Sequence, residues 1–68
     1  MLGERLKALR RRQVLSQREL AERAGVSLKT IQLAESGQAN PHQRTIRKLA
    51  VALGVEPYEL LGEAKAAA

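Results

Sequence analysis

The chain has 68 residues, room for one domain and no second core. Apolar residues make up 44% and charged residues 28%, and the apolar set is 11 Leu and 11 Ala against 4 Val and 2 Ile, with one Tyr and no Phe or Trp, which favours helices and argues against a β protein. The absence of cysteine excludes disulfides and thiolate metal sites, and the net charge of +5 is uneven: five bases and one acid in residues 1–15, three of each in 16–37, three bases and no acid in 38–55, one base and three acids in 56–68.

Leu2, Leu6 and Leu9 recur at i, i+4 and i+7, which predicts a first helix over residues 3–13, with Arg5, Lys7, Arg11 and Arg12 elsewhere on its surface. Ser16 is a good N-cap, and Glu19 three residues on completes a capping box, so a second helix starts there. Leu15 folds back on Leu20 as a hydrophobic staple, Leu20, Ala21 and Ala24 form the buried face, and Gly25 is the stop. Ser27 opens a third helix that runs through Leu28 to Ser36, buries Ile31 and Ala34, and stops at Gly37. Asn40-Pro41 marks a polar loop. A fourth helix over 43–53 places Ile46, Leu49, Ala50 and Leu53 on one stripe and stops at Gly54. Pro57 begins a fifth, short helix with Tyr58, Leu60 and Leu61. The expectation is an all-α bundle of five short helices: one domain over residues 1–62, then a frayed tail over 63–68.

No apolar run is long enough for a membrane span, and Glu4, Arg5 and Lys7 break any leader-like stretch, so a soluble, cytoplasmic protein is expected. Two basic blocks around a neutral middle suit a polyanion held at two places, although such a charge also serves plain solubility. One His, no Cys and no paired-carboxylate or nucleophile–base pattern argue against an enzyme, and neither a cofactor nor a metal is expected.

Helices two and three are joined so tightly that they cannot lie side by side, which is a helix-turn-helix arrangement. Here the run from Gln17 to Gly37, with Ala21, Gly25, Val26 and Ile31 in its frame, resembles the lambda-repressor/Cro-type helix-turn-helix family (xenobiotic-response-element-type regulators). Residues 49–55 and 57–61 resemble that family's fourth and fifth helices, so the likeness covers nearly the whole chain.

The resemblance implies a sequence-specific, double-stranded DNA-binding regulator, a repressor acting as a homodimer on a roughly palindromic operator. By position, Ser27, Leu28, Lys29, Gln32 and Leu33 match the base-reading face. Arg10, Gln17, Thr30, Asn40 and Arg44 match backbone contacts, with Arg47 one turn on. Arg10 and Glu35 match an ion pair between the first and third helices, and Val55, Tyr58 and Leu61 are dimer candidates. Leu28 and Leu33 lie off the Ile31/Ala34 stripe and read as exposed. They contact thymine methyls, pack on a protein partner, or tuck into the core; the second choice defines the competing reading, an antitoxin-like or coactivator-like interaction module. Val14 departs from the family, which often has Gly there; a β-branched residue disfavours positive φ, so a different turn is expected. His42 and Glu56 stand where better N-caps are usual.

Overall fold

A computed structural model describes residues 2–62; the tail expected over 63–68 lies outside them. The described chain forms α1 (Leu2–Arg12), α2 (Gln17–Ala24), α3 (Leu28–Ser36), α4 (Gln43–Leu53) and α5 (Pro57–Leu61). Its Cα radius of gyration is 11.0 Å, the value of about 11 Å expected for a folded chain of this length.

Each helix begins and ends for a local reason. Before α2, Ser16 Oγ accepts the Glu19 N–H at 3.0 Å while the Glu19 carboxylate accepts the Ser16 N–H at 2.9 Å. That bond from the Ser16 backbone holds the Glu19 carboxyl below its usual value. Gly25 ends α2 at φ 70°, a left-handed conformation that a glycine adopts without a Cβ clash. The Val26 N–H then returns to the Ala21 carbonyl at 3.0 Å, and Val26 packs against the core. The same return bond closes α3, from Gln38 to Leu33, and α4, from Val55 to Ala50. His42 caps α4 without a side-chain bond. Before α5, the Glu59 carboxylate accepts the Glu56 N–H at 2.8 Å, so the first turn is closed from the inside.

The turn after α1 corrects one expectation. Val14 does not avoid the left-handed region: it sits at φ 57°, the one non-glycine residue with positive φ among those described. The Leu15 N–H reaches the Arg10 carbonyl at 3.1 Å, so Val14 occupies the seat a glycine takes in the same closure elsewhere. Burying Leu15, which is 7% exposed, outweighs the strain on a Val that is itself 87% exposed. Because a side chain in this conformation costs about 1–2 kcal/mol, Val14→Gly is expected to stabilise the fold. The gain should be about 0.5–1 kcal/mol once the added freedom of the unfolded chain is subtracted, read as a rise in the urea midpoint.

The core joins Leu6 of α1, Leu15, Leu20, Ala21 and Ala24 of α2 and its approach, Ile31 and Ala34 of α3, Leu49, Ala50 and Leu53 of α4, and Leu60 of α5. α1 packs on α3 and α5, α2 on α3 and α4, and α4 on α5. This leaves α3 held from behind by α1 and α2, with its outer face in solvent. Gly3 is buried where α1 meets α3: a Cβ there would lie 2.6 Å from the Glu35 carbonyl oxygen and 2.7 Å from that of Ala34. No helix among the described residues is long and apolar enough to cross a membrane.

Candidate nucleic-acid interface

The outer face of α3 begins at its cap. Ser27 Oγ accepts the Thr30 N–H at 3.1 Å and lies 2.8 Å from Thr30 Oγ1, so the Thr30 hydroxyl turns back toward the cap and the residue is half-buried. Lys29, Gln32 and Ser36 are exposed along one helical stripe. Ser36 was not singled out from sequence; its place one turn beyond Gln32 was the available signal. Its hydroxyl donates to the Leu33 carbonyl at 3.1 Å.

Leu28 and Leu33 are half-buried rather than fully exposed, as the third of the readings open to them, a partial tuck into the core, requires. The buried arc of α3 is wider than the Ile31/Ala34 stripe, because α1 and α2 both cover it. The large exposed apolar residues described are instead Val14, Val51 and Leu61.

Behind this face, three side chains converge. Arg10 Nε donates to Glu35 Oε2 at 2.6 Å and Nη2 to Oε1 at 3.0 Å, a two-pronged pair, while Nη1 donates to the Leu15 carbonyl at 2.7 Å. Gln17 Nε2 adds a third bond to the carboxylate, on Oε1, at 3.1 Å. The side chains of Arg10 and Glu35 are only 11% and 4% exposed. The Glu35 hydrogen bond raises the Arg10 pKa against the opposing effect of burial, so the guanidinium stays charged. Arg10 thereby braces α3 from α1 with three of its five N–H donors. The Leu15 carbonyl, second partner of the guanidinium beside Glu35, had no sequence signal.

Across the loop, Asn40, His42, Gln43 and Arg44 are exposed. His42, Gln43, Arg44, Thr45 and Arg47 line an open hollow at the start of α4. Of the dimer candidates, Val55 is half-buried against the core, Tyr58 is half-buried in a groove with Arg5, Leu9 and Arg12, and only Leu61 is exposed. Among the described residues no group of His, Cys, Asp and Glu is placed to hold a metal ion.

Two short helices on a three-residue turn, the second displayed outward and tied to the first helix of the bundle, define a helix-turn-helix domain. The Helix-turn-helix family model HTH_3 matches residues 6–60, and the chain belongs to that family, of the lambda-repressor/Cro type. The immunity repressor protein of Bacillus phage phi105 is 36% identical over 62 residues, covering 91% of this chain and 43% of the phage protein. The chain therefore spans less than half of that relative. An uncharacterised HTH-type transcriptional regulator of Sinorhizobium fredii (strain NBRC 101917 / NGR234), y4dJ, is 38% identical over 61 residues, 90% of this chain and 79% of that one. The solved structure of the restriction-modification controller protein C.AhdI from Aeromonas hydrophila is similar at a TM-score of 0.84 and 42% identity, covering 87% of this chain and 89% of that chain.

Proposed function

We propose that the protein is a sequence-specific, double-stranded DNA-binding regulator that represses transcription as a homodimer, by occupying a roughly palindromic operator in the cytoplasm. The observation that carries this reading is α3: Lys29 and Gln32 stand free on its outer face while Arg10, Gln17 and Glu35 fix its inner side. A base reader needs that combination, because a side chain gains specificity only when the helix that carries it cannot yield. The phage repressor and the rhizobial regulator, by their names, support the same reading.

In this proposal Gln32 reads adenine through a bidentate amide contact and Lys29 reads guanine, while Ser27 and the edges of Leu28 and Leu33 fill out the groove contact, the leucines against thymine methyls. The first-turn N–H groups of α2 at Gln17 and of α4 at Arg44, with no carbonyl one turn back, offer phosphate contacts, joined by Asn40, Arg44 and Thr30. One nine-residue helix reads few base pairs. A two-fold pair doubles the readout, with half-sites about 34–36 Å apart. The dimer surface would run from exposed Leu61 to the edges of Tyr58 and Val55. The competing reading, a partner-holding module, drew on exposed leucines at positions 28 and 33, and their half-burial removes that support.

The test is selection of bound duplexes from a random pool, followed by titration of the selected duplex at two salt concentrations. An inverted repeat should emerge, and log K should fall with log salt at a slope of about −5 to −9 if the dimer neutralises roughly 6–10 phosphates. No enrichment of any sequence would overturn the reading. Gln32→Ala and Lys29→Ala should each weaken the selected site by about 1–3 kcal/mol and relax preference at one position, whereas Arg44→Ala should weaken all duplexes alike and reduce the slope by about 1. The unfolding midpoints of these variants should stay unchanged, since all three side chains are exposed.

A further inference from the structure

The outer side of α4 carries a face of which the DNA reading uses Arg44 and, one turn on, Arg47, but neither Lys48 nor Val51. Arg44, Arg47, Lys48 and Val51 share one face at helical spacing, opposite the buried Leu49, Ala50 and Leu53. With Arg23 and Ala24 from the end of α2 they line a groove of about 320 Å³. Val51 is 76% exposed, an aliphatic side chain set in water between cations. Residues 38–55 contain no acid that could neutralise the rim from within α4. Arg23 stands one turn from Glu19, an exposed carboxylate that it attracts weakly and that also accepts the Ser16 N–H, while Arg44, Arg47 and Lys48 have no acid within α4.

We propose that this groove docks an acidic segment of another protein that inserts one apolar side chain between Ala24 and Val51. Charge complementarity sets the sign of the partner: four cations rim the site. The apolar floor sets its kind. A phosphate backbone would engage the cations and leave Val51 in water, whereas an acidic peptide with an aliphatic residue in its middle satisfies both. The small volume fits one such side chain and its neighbours, not a long helix face. Arg44 is the end shared with the DNA side. Val51 lies seven residues further along α4, about 10 Å up the axis, so the segment can sit on the protein while the outer face of α3 is engaged.

The experiment is fluorescence anisotropy of the full chain with a fluorescein-labelled peptide that carries acidic residues on both sides of a single leucine, and with a second peptide in which serine replaces the leucine. The leucine peptide should bind saturably, and the serine peptide about tenfold more weakly, the ratio expected for losing one buried aliphatic side chain. Val51→Asp should weaken the leucine peptide about tenfold or more and leave duplex DNA affinity unchanged. Arg23→Glu, a second exposed site in case the first variant is poorly folded, should weaken both peptides. Circular dichroism checks the fold of each variant. Equal binding of the two peptides, or no binding of either, overturns the proposal. So does a duplex that competes for the groove and loses as much affinity as the peptide on Val51→Asp, which would make the face an extension of the nucleic-acid contact.

Discussion

Glu35→Ala is expected to remove most of the domain's stability. The carboxylate accepts Arg10 Nε, Arg10 Nη2 and Gln17 Nε2 at 2.6, 3.0 and 3.1 Å, and its side chain is 4% exposed. Without it, a guanidinium only 11% exposed keeps a charge that it cannot shed by losing a proton. An exposed pair is worth about 0–1 kcal/mol, and removing one partner of a fully buried pair costs about 3–5 kcal/mol. Arg10 lies close to the buried limit with its head partly wetted, so the loss should be about 2–4 kcal/mol. A single core of this size supplies about 3–5 kcal/mol in total, which makes that loss decisive. The double variant Arg10→Met with Glu35→Leu should recover most of it, because replacing both members of a buried pair by apolar side chains of similar volume is close to neutral. A residue of about 1 kcal/mol should remain for the Leu15 carbonyl, which loses its Nη1 donor. Urea unfolding of Arg10→Met, Glu35→Leu and the double variant gives the coupling energy directly. A loss below about 0.5 kcal/mol for Glu35→Ala would mean that the pair is screened like any surface pair.

The helices were legible because their punctuation is local. Ser16 with Glu19, Ser27, Pro57 and the glycines at 25, 37, 54 and 62 each act within one turn, so the boundaries of α2 to α5 follow from residues next to them. The leucine stripes likewise depend on spacing within one helix. What the sequence concealed is what two helices do to each other. Leu28 and Leu33 looked exposed because the stripe of α3 was drawn from α3 alone, whereas the helices behind it cover a wider arc. Val14 looked incompatible with its turn because only its own preference was weighed, against which stand the burial of Leu15 and the bond from its N–H to Arg10. The meeting of Arg10 with Glu35 spans 25 positions; no periodicity reaches that far, and it came into view only through the family resemblance. The Leu15 carbonyl and the close approach at Gly3 had no sequence signal, since both contacts are made by backbone carbonyls, which side-chain patterns do not report.

That close approach gives the second large effect. Gly3→Ala would ordinarily favour a helix, by about 1 kcal/mol in a helix interior and less near its start. Here the added methyl would lie 2.6 and 2.7 Å from the carbonyl oxygens of Glu35 and Ala34. Those oxygens belong to the backbone of α3, so no rotamer change relieves the clash. Either the start of α1 withdraws by several tenths of an ångström or the last turn of α3 shifts. Overpacking of this kind costs about 1–3 kcal/mol, more than the propensity gain, so the variant should be destabilised on balance. The displaced turn is the one that carries Glu35, so the strain reaches the brace of α3. The expected result is a lower urea midpoint together with weakened binding to the selected duplex, at protein concentrations and temperatures where the variant is still folded. Lys7→Ala, one turn on and exposed, is the control and should change stability by less than about 0.5 kcal/mol. If Gly3→Ala proved as stable as that control, α1 and α3 would have to be separated by more than the structure places between them.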